Sequence, residues 1–205
     1  MSRIAIFLIL VVSMMLMAGC ASLPQRLMLQ PSMQMIVGDI SVDHQEISLR
    51  VIDSRPENAL GYFEDSHGNR QPFLSTQELG MVIDQAVAAG LRKNGFIPLA
   101  GVHENNISLT VEIQEFNHHV SPGIVKVPVQ TKISLRTTAV NGGHKLTSYY
   151  SIDKQAVLAL RPGIQQNQRL VNEALAAVLE QIFQDQKLLN MLSLKTETEP
   201  VKQNN

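Results

Sequence analysis

The residue with the most evident chemistry in this chain is Cys20, its only cysteine, which closes the string Leu16-Met17-Ala18-Gly19-Cys20. Arg3 supplies a short positive start, and residues 4–17 contain no charge. This is the anatomy of a secretory signal ending in a lipidation site. Met17, Ala18 and Gly19 form the signal-peptidase recognition segment, and Cys20 is the lipid-attachment residue. The pattern predicts removal of residues 1–19. It requires no cofactor beyond covalent acylation, a diacylglycerol and an N-acyl chain on Cys20. A spanning helix needs about 20 apolar residues. The run here is shorter and is followed by Ala21-Ser22-Leu23-Pro24-Gln25, which has no positive cluster to stop transfer.

The other groups that could do chemistry are scattered. The six histidines are His44, His67, His103, His118, His119 and His144. None stands at the spacing of a helical zinc motif. His118-His119 is a transition-metal candidate, but adjacent strand residues point to opposite faces. No partner ligand is placed by spacing, so no metal site is expected. Asp53 and Arg55 end a strand-like run, and the simpler reading is an ion pair that organises the following loop. No nucleophile elbow and no glycine-rich phosphate cradle is present, so no catalytic residue is expected. With Cys20 acylated, thiolate catalysis and disulfides are excluded.

The candidate binding residues fall in residues 54–73, read as a long loop exposing Tyr62, Phe63, Asp65, His67 and Arg70. Loops of that length are often functional. Met28, Met33 and Met35 offer an adaptable apolar surface or tether residues folded back on the domain.

Apolar periodicity supplies the elements that must position these groups. Ile47, Leu49 and Val51 alternate with polar residues up to Asp53, and Ile107, Leu109, Val111 and Ile113 alternate strictly. One parity holds from Val125 through Ile133 to Thr137, then Asn141-Gly142-Gly143 marks a tight turn. The returning strand covers residues 145–156, with Leu146, Tyr150 and Ile152 on the packed face. A short strand is read at 96–99 and an edge strand at 35–42. One helix opens with a Ser75…Glu78 capping box, carries Leu79, Ile83, Ala86, Val87 and Leu91, and ends at Asn94-Gly95. A second, ending near Gln184, carries Val171, Ala174, Leu175, Val178 and Ile182. Asp185 caps a final short turn with Leu188, Leu189 and Leu192.

This order predicts an α+β fold. Two layers are expected, a mostly antiparallel sheet of four to five strands with two long helices on one face. Arg50, Thr110, Glu112, Lys132 and Arg136 fall on the other face. The expected divisions are a signal peptide (1–19), a lipidated tether (20–35), a periplasmic domain (36–192) and a polar disordered tail (193–205). Net charge is −1, tryptophan is absent and aromatics are 4 %. That balance argues against nucleic-acid binding.

The lipidation site, the run Asp53-Ser54-Arg55, the segment Leu91-Arg92-Lys93-Asn94-Gly95-Phe96, the alternating strand 107–113 and the late helix closing on Asp185 and Leu188 resemble, in that order, the YajG family of bacterial lipoproteins. The resemblance spans nearly all of the chain after Cys20. It implies an envelope location and a small α/β domain, and carries no reaction and no catalytic or ligand residue. By similarity to Gram-negative lipoproteins, Ala21 in place of Asp implies the outer membrane, with the domain facing the periplasm. The function expected is a non-enzymatic accessory or docking lipoprotein with an envelope protein partner. The alternatives are a binder of a lipid or other apolar envelope ligand and, further off, a hydrolase of envelope polymers.

Overall fold

The computed structural model describes residues 24–34, 44–101 and 107–194. Cys20, with Met17, Ala18 and Gly19, lies outside them, as do His103, Met35 and the proposed edge strand at 35–42. Among the described residues eight strands are formed: β1 Gln25–Leu27, β2 Glu46–Asp53, β3 Gly61–Glu64, β4 Arg70–Ser75, β5 Ile97–Ala100, β6 Ile107–Val120, β7 Val127–Asn141 and β8 His144–Leu158. Three helices among the same residues join them: α1 Leu79–Lys93, α2 Ile164–Gln184 and α3 Gln186–Ser193.

The α+β class holds, but the sheet is larger than expected and mixed. β6, β7 and β8 form an antiparallel meander. The other edge of β6 is shared by two parallel neighbours. β2 runs beside Ser108 to Ile113, and β3 runs beside His118 to Val120. β5 extends the sheet parallel to β2, while β4 and then β1 extend it beyond β3.

A β-bulge at Gln114 makes this split possible. The β6–β7 register slips between Ile113 and Glu115, and one extra residue inverts which side chains face inward. Ile107, Leu109, Val111 and Ile113 are buried before it, and Phe116, His118 and Val120 after it. The strand therefore runs on through the histidine pair instead of ending before it.

All three helices lie on one face. Val171, Ala174, Leu175, Val178, Leu179 and Ile182 of α2 are fully buried and share one core with Ile133, Leu135 and Ala139 of β7. α1 meets α2 at Gly90, where any Cβ would collide with the Phe183 ring. The opposite face carries Arg50, Thr110, Glu112, Lys132 and Arg136, as the alternation predicts.

Three local expectations are met. Gly95, at φ 84°, lets Phe96 N–H reach the Leu91 carbonyl and closes α1. Gly142-Gly143 links β7 to β8, with Asn141 opposite His144. Asp185 accepts hydrogen bonds from the Lys187 and Leu188 amides and starts α3.

Three expectations require correction. The 54–73 loop is largely a β-hairpin, β3–β4. The capping box does not form. Ser75 is held in β4 beside Leu27, α1 begins at Leu79, and the Ser75 hydroxyl accepts from Gln77 N–H. The segment expected as tether is in part structured. β1 pairs with β4, Leu27 and Leu29 are buried, and polar side chains of α2 hold the following backbone. Gln168 accepts from Met28 N–H, Asn172 bonds Gln30 N–H and the Met28 carbonyl, and Glu180 accepts from Gln34 N–H. Short polar residues and two prolines resemble a linker, whereas the apolar pair Leu27 and Leu29 is what docks it.

Candidate binding groove on the outward face

Where β2 leaves β6 and β3 joins it, the chain between them bulges away and opens a groove of about 470 Å³. Arg55, Pro56, Glu57 and Ala59 form one wall, Tyr62, Arg70 and Pro72 another, and Gln114 to Asn117 the floor. The volume lies in the range of ligand and peptide-side-chain pockets.

Two features hold the bulging segment. Arg55 makes a bidentate pair with Asp53, with Nε at 2.9 Å from Oδ1 and Nη2 at 2.8 Å from Oδ2. Its Nη1 donates to the Ala59 carbonyl at 2.8 Å, and its guanidinium stands 5.9 Å from the Phe116 ring centre. Partial burial works against the Asp53 carboxylate, but the Arg55 side chain and amide outweigh it and hold the carboxyl below its usual range. The ion pair read from the sequence is thus a strut of the groove wall. Gly61 is the second feature, with φ 130° and no room for a Cβ against the His118 backbone.

Of the expected binding residues, the structure brings Tyr62 and Arg70 to the groove. The Arg70 guanidinium lies 4.4 Å from the Tyr62 ring centre, and its Nε lies 3.5 Å from Glu64. The His119 ring packs against Tyr62, tilted by 38°, with ring centres 4.5 Å apart. Phe63 points to the opposite face, where the Arg161 guanidinium covers its ring at 3.5 Å. Asp65 is consumed by its own turn, accepting from the His67 and Asn69 amides and the Asn69 side chain. His67 sits in that turn, away from the groove.

The histidine pair divides as strand geometry requires. His119 faces outward, and His118 is fully buried between sheet and α2. His118 Nδ1 lies 2.8 Å from the Thr131 hydroxyl and Nε2 lies 3.2 Å from Asn167 Oδ1. Asn167 Nδ2 in turn donates to Gln25 Oε1 and the Pro162 carbonyl. Asn167 Oδ1 therefore accepts from Nε2–H, and Nδ1 accepts from Thr131. Burial pushes the His118 pKa down to about 4, so the ring is neutral. Among the described residues, no three His, Cys, Asp or Glu side chains gather as a metal site.

Sequence reasoning missed Pro56, Glu57, Pro72 and the floor residues Gln114, Glu115, Phe116 and Asn117. The one available signal was the loss of alternation at Gln114. A parallel junction between β2 and β3 leaves no local trace.

Among the described residues, no helix is long and apolar enough to cross a membrane. No functionally curated protein matches the sequence. The fold is similar to a Xanthomonas campestris protein of the DUF330 family, at 9 % identity and TM-score 0.59, covering 78 % of this chain and 92 % of that one. It is also similar to a Helicobacter pylori protein described as a homolog of neuraminyllactose-binding hemagglutinin, at 12 % identity and TM-score 0.51, covering 82 % and 97 %. Lipoprotein GNA1162 from Neisseria meningitidis aligns at 15 % identity and TM-score 0.36, covering 67 % and 97 %. The first two likenesses concern the fold alone, and the third is too distant to carry an argument. A family model described as "Uncharacterized lipoprotein" matches residues 31–193. The chain therefore belongs to this lipoprotein family.

Proposed function

We propose that this chain is a non-enzymatic docking lipoprotein, anchored to the outer membrane through acylated Cys20 and facing the periplasm, and that within its family it is of the YajG type. Its groove binds an extended segment of an envelope protein. The observation that carries this reading is the groove itself, with Tyr62, Pro56, Pro72 and Phe116 as apolar lining. Rigid aromatic and proline surfaces give contact area at low entropy cost, which suits peptide recognition. Three of the four charged groups at its rim are engaged, and the fourth, Glu57, is exposed on one wall. Arg55 is bound to Asp53, Arg70 lies on Tyr62, and Glu115 pairs with Lys132 at 2.9 Å. This leaves them as shape and orientation elements rather than as acids or bases.

The test is in-cell photo-cross-linking from the Glu57, Tyr62 and Phe63 positions. A discrete protein adduct is expected from Glu57 and Tyr62 and none from Phe63, which faces the other side of the sheet. Equal adducts from all three, or none, would overturn the docking reading. Co-purified lipid in native mass spectrometry, with no protein adduct, would assign the groove to an apolar ligand.

A further inference from the structure

The strand directions define one end of the sheet. β6 finishes at Val120, opposite Val129, and β7 begins beside the end of β8, with Val127 opposite Leu158. The β6–β7 turn (121–126) and the β8–α2 connection (159–163) therefore share the Val120 end. β3 runs parallel to β6 and places Phe63 beside Val120. β4 runs back, with Phe73 beside Gly61, and β1 runs parallel to β4, with Gln25 beside Phe73. Followed backwards from Gln25, the chain at Pro24 therefore leaves toward the Val120 end.

Pro24 is four residues from Cys20, a reach of at most about 14 Å for extended chain. This end of the sheet is also where apolar side chains stand in water. Ile124 is 94 % exposed, Leu160 75 %, Val125 74 % and Val157 66 %. The turn that carries Ile124 and Val125 is fixed. Ser121 N–H donates to the Pro128 carbonyl at 2.9 Å, and a Cβ on Gly123 would collide with the Lys126 carbonyl. Lys126 is exposed beside them. Arg161 lies over Phe63, Glu64 is paired with Arg70, and Asp65 is turned into its own loop. Of the carboxylates nearest this end, Glu64 is thus charge-paired and Asp65 is hydrogen-bonded within its own turn.

We propose that the Ile124–Val125 turn, with Val157 and Leu160, inserts into the leaflet that holds the acyl chains of Cys20, a proposal that rests on the reading of Cys20 as acylated. The ligand is a phospholipid surface, with Lys126 at headgroup level. Apolar residues flanked by a cation match an interfacial contact. The lipid surface is favoured over a protein because the four-residue link holds it against this end at high effective concentration. Contact there would present the groove sideways, along the membrane.

Because Cys20 is the only native cysteine and is consumed by acylation, an introduced thiol is labelled uniquely. Ile124→Cys, Leu160→Cys and, in the β7–β8 turn at the opposite end, Gly143→Cys are labelled with an environment-sensitive fluorophore in the acylated full chain. Each is placed in phosphatidylethanolamine–phosphatidylglycerol vesicles carrying doxyl-lipid quenchers. Quenching several-fold stronger at 124 and 160 than at 143, with a blue shift, is expected. Equal quenching at all three positions would overturn the proposal. So would a discrete protein adduct of a cross-linker at 124 without lipid quenching. Mass analysis of the N-terminal peptide in the same preparation reports acylation separately. A bare Cys20 would show that the anchor reading had failed first and had taken the reach argument with it.

Discussion

His118 and His119 are neighbours in sequence with opposite lives. His119 packs half-buried against Tyr62 on the outward face, while His118 joins β6, β7, α2 and β1 through Thr131, Asn167 and Gln25. A buried neutral imidazole makes folding pH-dependent. The unfolded chain takes up a proton near 6.5, and the native ring does so only near 4. The unfolded state thus binds more protons between these values, and stability rises with pH across that window. The His118 contribution is complete above about pH 6.5 and is lost as pH falls toward 4, on the order of 3 kcal/mol in all. Urea unfolding at a series of pH values should show this slope. In His118→Gln the slope should flatten, with lower stability at neutral pH. An unchanged slope in that variant would remove His118 as its source.

At the scale of elements, the last turn of α2 and the start of α3 depend on one carboxylate. Asp185 Oδ1 receives the Lys187 and Leu188 amides at 3.0 and 3.1 Å, while Oδ2 receives the Tyr150 hydroxyl at 2.8 Å and Ser148 at 3.1 Å. Burial opposes the Asp185 charge, but these donors outweigh it and lower its pKa. Burial and the same carboxylate push Tyr150 up to about 12. Asp185→Ala loses a cap of about 1 kcal/mol and takes from the Tyr150 hydroxyl its charged acceptor, a further ~1–3 kcal/mol. Tyr150→Phe removes only a donor, at about 0.5–1.5 kcal/mol. The double variant should be less destabilised than the sum of the two, because both remove the same bond. Strict additivity in denaturant titration would contradict the shared bond. This cap was legible in sequence because a local rule, Asp before an apolar turn, met no competitor. The Ser75 capping box was equally local and failed. There, β1 pairing holds Ser75 in a strand, so a contact 48 residues away in sequence, between Ser75 and Leu27, overrides the local signal. The second half of β6 was hidden for a related reason, since the bulge at Gln114 breaks the period by which strands are recognised.

At the scale of the whole molecule, the antiparallel meander was readable because each strand follows its neighbour through a turn. The parallel junctions were not readable. They join β1 to β4 and place β2 and β3 end to end along β6, and such pairings leave no mark on local periodicity. The groove arises from that second junction, which is why Tyr62 and Arg70 were found but its floor was not. The first junction decides how far the domain stands from its anchor. If residues 24–34 were a free tether, Leu27→Ala and Leu29→Ala would change stability by no more than about 0.5 kcal/mol. Both side chains are instead buried in the common core, and truncating a buried leucine typically costs about 2–5 kcal/mol. Urea midpoints of the two variants should fall accordingly with unchanged slope, the signature of lost native stability rather than of an altered unfolded state. Midpoints matching the unsubstituted protein would return the segment to a tether and lengthen the link from Cys20 from four residues to the 26 that separate it from Glu46 at the start of β2. The groove could then point in any direction from the membrane. A loss of the expected size keeps the link to Cys20 at four residues, the short reach on which the proposed placement of the Val120 end beside the lipid rests.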